Sequence, residues 1–109
     1  MINVVLVCAG GMSTSFMVTK MQKATKQHEI DANIIPMGAD EFIYEEFETD
    51  ILLIAPQLIW RYEELKDEFQ DRIPVIHNIS KEDYGMMDGE KVLLDAMSQY
   101  KKVKTEKGD

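Results

Sequence analysis

The sequence predicts an α/β domain, a four-stranded parallel sheet flanked by helices, and three observations predict it. Apolar runs centred on residues 2–7, 31–37, 50–55 and 73–76 recur along the chain. Between them the apolar residues are spaced as on one face of a helix rather than in alternation. The first run ends at Cys8, followed by Gly10-Gly11 and Ser13-Thr14-Ser15. That order of residues suits a strand, a tight turn and a helix start. Strands alternating with helices imply right-handed crossovers and a parallel sheet. The strand order becomes 2-1-3-4 if the chain winds both ways from the first strand.

Residues 2–7 are nearly all apolar, as a central strand buried on both faces requires. Residues 13–27 then turn helical, with Met17, Met21, Ala24 and His28 on one face and Lys20, Lys23 and Lys26 largely elsewhere. The methionines read as core filler. Residues 31–37 form the second strand, and Pro36 places it at a sheet edge. Gly38 breaks the chain before a short helix over 39–47, with Phe42, Ile43 and Phe47 apolar. Asp40, Glu41, Glu45, Glu46, Glu48 and Asp50 accompany it without a basic residue. Such a run is usually a solvated face, and a basic partner is the sharper alternative.

The third strand, 50–55, holds Ile51-Leu52-Leu53-Ile54. Pro56-Gln57 ends it, and a helix is expected to about Phe69. The fourth strand is expected over 73–76, after a turn at 70–72, followed by an irregular segment over 78–89. A last helix over 90–100 carries Val92, Leu93, Ala96 and Tyr100 on its buried face. Residues 101–109 are polar and are expected to fray. The expected organisation is one domain over 1–103 with a flexible tail over 104–109.

Composition narrows the function. At 109 residues there is room for one modest core. A net charge of −8 makes nucleic acid an unfavourable partner. A single cysteine excludes an internal disulfide, and no Cys/His grouping has metal-ligand spacing. No stretch approaches the roughly 18 apolar residues of a membrane span, and the first residues enter a strand directly, so neither membrane insertion nor a signal peptide is expected. A reducing cytoplasm suits the free thiol. No cofactor or metal is called for.

The chemistry concentrates at residues 8–15. Gly10 and Gly11 let the backbone approach a ligand closely. Successive N–H groups of Ala9, Gly10, Gly11 and Met12 can form an anion-binding nest. Ser13, Thr14 and Ser15 can cap the helix and donate hydroxyls to phosphate oxygens. The helix N-terminus favours a phosphate and, equally, a thiolate at Cys8. A thiolate beside such a nest is arranged to take a phosphoryl group in line. In cysteine phosphatases and related arsenate reductases an arginine stands six positions after the nucleophile; here Thr14 occupies that place. Without a guanidinium on the equatorial oxygens, hydrolysis is disfavoured relative to accepting a phosphoryl group and passing it on.

Cys8 followed by Gly11-Met12-Ser13-Thr14-Ser15 resembles the active-site loop of enzyme IIB components of the bacterial sugar phosphotransferase system, lactose/cellobiose (N,N'-diacetylchitobiose) class. The resemblance runs over about residues 2–100 and includes Pro56-Gln57, Tyr84-Gly85 and Asp88-Gly89. Ala55 departs from it, since relatives usually have glycine there. The resemblance implies the 2-1-3-4 sheet order and a phosphocarrier. Cys8 takes a phosphoryl group from a phosphohistidine of enzyme IIA, and the sugar held by membrane enzyme IIC receives it. Which sugar of the cellobiose, chitobiose or lactose type is left open, as is the oligomeric state. Gln57, after the third strand, and Tyr84, in the loop after the fourth, are candidate accessory residues; His77 at the same edge reads as packed, and His28 as remote. The alternatives are a phosphatase-like hydrolase and a non-catalytic regulatory binding domain.

Overall fold

A computed structural model describes residues 1–9 and 12–106, with side chains described at residues 1–9 and 14–106. The strands β1 (Ile2–Val7), β2 (Ala32–Met37), β3 (Ile51–Ile54) and β4 (Val75–Asn78) form one parallel sheet in the order β2-β1-β3-β4. This is the 2-1-3-4 order expected, with the Pro36 strand at an edge. β1 pairs on both sides, Val4 with Ile34 and Ile51, Leu6 with Pro36 and Leu53.

The strand pleat divides the core in two. Val4, Leu6, Ile51 and Leu53 face one layer of helices, while Val5, Val7, Leu52 and Ile54 face the other. On the first face lie α1 (Met12–Gln27) and α5 (Gly89–Glu106). Met17, Met21 and Ala24 are buried there as their spacing predicts, and the stripe ends before His28, which is exposed. On the second face lie α2 (Ala39–Glu45) and α3 (Tyr62–Phe69), whose Phe42 and Phe69 rings meet edge to face at 4.9 Å. Helices on both faces explain why the two central strands are apolar apart from Asn3.

Several boundaries differ from the sequence expectation, each for a local reason. A 3-10 segment, Pro56–Arg61, precedes α3, and Leu58 inside it leaves helical geometry. α2 stops at Glu45 because Glu46 adopts a left-handed conformation (φ 50°). β4 starts at Val75: Ile73 N–H instead donates to Phe69 C=O at 2.9 Å, and Pro74 has no N–H to give. The segment expected to be irregular contains α4 (Lys81–Gly85), capped by Ser80 Oγ, which accepts from Asp83 N–H at 3.1 Å. α5 runs to Glu106 rather than ending at Tyr100, so residues 101–106 are helical where a fraying tail was expected. Tyr100 and Val103 pack against the first core. Residues 107–109 of the expected tail lie outside the described residues.

Gly89, the first residue of α5, is buried where that helix crosses α1. A Cβ built on it would stand 2.5 Å from Lys20 Cβ and 2.8 Å from Met21 N. Only glycine permits that approach.

Candidate active site

The sheet winds in opposite senses from β1, since α1 covers one face and α2 and α3 the other. The loops after β1 and β3 therefore part, and a crevice opens at the carboxyl ends of the strands. Cys8 lies there, one residue past β1. Its backbone N–H donates to Met37 C=O at 3.1 Å, which continues the β1–β2 pairing by one step. Ala55 N–H donates to Val7 C=O at 2.9 Å from the other side. Both neighbours of β1 thus fix the cysteine backbone.

The Cys8 side chain is only 6% exposed. Its Sγ–H points toward Met37 C=O at 3.9 Å, a weak contact. Beside it is a cavity of about 330 Å³ lined by Cys8, Ala9, Thr14, Ser15, Pro36, Met37, Gly38 and Glu41. The strand end and the first turn of α1 thus share one opening. Gly10 and Gly11 lie outside the described residues, as do the side chains of Met12 and Ser13. Ser15 is exposed, and its carbonyl accepts from Thr19 Oγ1 at 2.9 Å.

Thr14 is buried, and its hydroxyl stands 3.4 Å from the Tyr84 phenol, also buried. Tyr84 therefore reaches the first turn of α1 from α4. It also lines a second cavity, of about 230 Å³, with Pro56, Gln57, Lys81 and Gly85. Gln57 opens on that neighbouring cavity rather than on the lining of the Cys8 cavity. His77 sits within β4 opposite Leu53, and His28 pairs with Glu90 at 2.8 Å. Neither lines the Cys8 cavity.

The sequence reading missed the wall supplied by Pro36, Met37, Gly38 and Glu41. The signal was the strand order itself, since it sets the end of the second strand beside the end of the first. Ala55, where glycine is usual, has φ −62° and ψ 148° and is fully buried. A β-region backbone accepts a Cβ without strain, so this departure leaves the neighbouring loop undistorted. Asn78 Nδ2 ties that loop down by donating to Ile54 C=O at 3.1 Å.

No basic side chain is among the described residues that line the Cys8 cavity. Arg61 is committed elsewhere, bound to Glu64 at 3.1 Å and to Asp40 at 2.8 Å. Hydrogen bonds donated to Glu64 first, then to Asp40, hold its guanidinium above the ordinary arginine range. On α4, the Asp83 carboxylate accepts from Lys91 Nζ at 3.0 Å and raises that ammonium above its usual value, tying α4 to α5. Among the described residues no cluster of His, Cys, Asp and Glu is arranged to hold a metal ion.

A doubly wound parallel domain with a thiol at its winding reversal and a helix start beside it combines two features that favour an anion. The sequence matches the family described as the lactose/cellobiose-specific IIB subunit of the phosphotransferase system, over residues 3–95. It is 34% identical over 99 residues to the oligo-β-mannoside-specific EIIB component of Bacillus subtilis, covering 88% of this chain and 93% of that protein. It is 35% identical over 95 residues to the galactose-specific EIIB component of Lactococcus lactis, covering 83% and 88%. The solution structure of the cellobiose-specific IIB component from Borrelia burgdorferi superposes with a TM-score of 0.76 at 33% identity over 93% of both chains. The chain belongs to the lactose/cellobiose-specific IIB family, and its class of activity is that of a phosphotransferase. No helix among the described residues is long and apolar enough to cross a membrane.

Proposed function

We propose that this protein is a phosphocarrier that takes a phosphoryl group onto Cys8 from a phosphohistidine of enzyme IIA and delivers it to a sugar held by membrane enzyme IIC. The observation that carries this reading is the Cys8 sulfur beside a cavity shared with the first turn of α1. In the first step the N–P bond breaks, the imidazole nitrogen keeps the electron pair, and an S–P bond forms. In the second the sulfur leaves as thiolate, a sugar oxygen takes the phosphoryl group, and the hydroxyl proton passes to a base on the acceptor side or to water.

Backbone N–H groups of residues 9–15 and the hydroxyls of Ser13, Thr14 and Ser15 hold the phosphoryl dianion in this reading, with help from the α1 N-terminus. No metal takes part. Both steps occur inside complexes at the cytoplasmic face, so the rim around Cys8 is partner surface. Phe16, 58% exposed on α1 one residue after Ser15 of the cavity lining, supports that assignment; Met12 belongs with it. One domain accounts for the described residues, and its end is drawn at Glu106, where α5 stops, rather than at 103. The relatives named for different sugars have similar identity to this chain, so the sugar is taken to be chosen by IIC.

The test is phosphoryl transfer from a phosphorylated lactose/cellobiose-type IIA protein to wild type and Cys8→Ser in parallel, read by phosphorus NMR. A thiophosphate-type signal in wild type alone is the expected result. Absence of any signal in folded wild type, with several IIA donors, overturns the reading in favour of a binding domain. Inorganic phosphate released without a sugar component favours hydrolysis.

A further inference from the structure

We propose that Glu41 sets how readily the phosphoryl group leaves Cys8, by placing a carboxylate on the wall of the cavity that must hold the dianion. The inference rests on the phosphocarrier reading above. Glu41 is in the first turn of α2 and lines the Cys8 cavity together with Thr14 and Ser15. It is the one charged side chain among the described residues lining it. Its carboxylate accepts from Gly38 N–H at 3.4 Å, which holds it toward the loop that ends β2. The preceding Asp40 is neutralised by Arg61 at 2.8 Å.

A phosphoryl group on the sulfur adds negative charge where the wall is already negative. The like charge raises the free energy of the phosphocysteine relative to the empty thiol and makes it the better donor. It also disfavours stray inorganic anions that the α1 N-terminus would otherwise attract. A carrier must be loaded and emptied in succession, and a trap built only of N–H donors would hold its cargo too well. Glu41 is exposed, and one added charge on a solvated cavity rim changes such an equilibrium by about three- to tenfold at low salt.

Glu41→Gln tests this, because glutamine keeps an acceptor for Gly38 N–H and removes only the charge. A phosphorylated IIA protein is mixed at fixed ratio with full-length wild type, Glu41→Gln or Glu45→Gln, and the phosphohistidine and phosphocysteine signals are integrated at equilibrium. Glu41→Gln is expected to shift the equilibrium toward phosphocysteine by about three- to tenfold at low salt, and by much less in 1 M salt. Glu45→Gln, on the same helix but outside the cavity lining, is expected to match wild type. A shift under about 1.5-fold, or one that ignores salt, overturns the proposal. Wild type that accepts no phosphoryl group overturns the phosphocarrier reading instead. Tungstate titration of the unphosphorylated proteins then decides on Glu41 by itself: tighter binding to Glu41→Gln supports the charge effect. Equal affinity, or no binding to either, removes it.

Discussion

At the amino edge of the sheet Ile2, Ile30, Leu94 and Met97 floor a cavity of about 560 Å³, with His28, Asp31 and Lys101 at its rim. At the carboxyl edge the Cys8 cavity is about 330 Å³. The larger hollow has no thiol, because Cys8 is the only cysteine and lies at the opposite end of β1. It has an apolar floor left where α1 ends and α5 passes beneath Ile2. The smaller one stands where the winding reverses and a helix begins beside a strand end. Volume therefore does not decide between the two as candidate sites. The direction of the strands does, because carboxyl-end loops after adjacent strands part toward opposite faces.

The largest expected effect breaks the symmetry between the two edges. Cys8→Ser is expected to abolish phosphoryl acceptance from a IIA donor while leaving a folded protein by circular dichroism. Lys101→Ala, at the rim of the larger cavity, is expected to leave the transfer rate within about twofold, since a single exposed charge far from the thiol is screened. Equal losses in both variants would mean that the amino edge takes part in transfer.

Next in size is a change at the contact that joins the two edges. α5 starts against the middle of α1 and lines the amino-edge cavity with Leu94, Met97 and Lys101. Gly89→Ala forces a methyl against Lys20 Cβ and the Met21 backbone. Overpacking of this kind costs about 1–3 kcal/mol. A denaturant midpoint is expected to fall accordingly without a change in slope. An unchanged midpoint would mean that α5 can shift away from α1 freely.

Much of this arrangement is legible in the residues. The unbroken apolar run to Val7, the stripe of Met17, Met21 and Ala24, and Pro36 at a sheet edge each state a local rule that the fold obeys. The place of Cys8 at the carboxyl end of the first strand is legible because an apolar run, two glycines and a helical pattern follow one another in the sequence. α4 was missed although Ser80 and Asp83 have the spacing of a helix start. The glycines around them read as loop. The extension of α5 was missed because Val103 stands alone among lysines, and its packing on the first core is a tertiary fact. Glu41 was read as part of an acidic solvated face. Its place beside Cys8 depends on β2 lying next to β1, which composition along α2 does not express.

A smaller effect sharpens the carboxyl edge itself. Tyr84→Phe removes the phenol that meets the Thr14 hydroxyl at 3.4 Å. The contact is long, so the loss in stability is expected to be about 0.5–1.5 kcal/mol. Because Thr14 belongs to the first turn of α1 at the cavity, the transfer rate is expected to fall about two- to fivefold. A stability loss with no change in rate would make Tyr84 a packing residue only.

The smallest effect belongs to the amino edge. His28 Nε2 lies 2.8 Å from Glu90, and the two side chains are 39% and 54% exposed. Exposed pairs of this kind contribute about 0–1 kcal/mol, since water and salt screen the attraction and two side chains lose freedom to form it. The pair nevertheless spans α1 and α5, the two helices that meet at Gly89. His28→Gln is expected to lower the denaturant midpoint barely measurably and to leave phosphoryl transfer unchanged. If it reduced transfer while Lys101→Ala did not, the α1–α5 contact would have to carry coupling from the amino edge to Cys8. The rigid packing at Gly89 would then be the place to look for it.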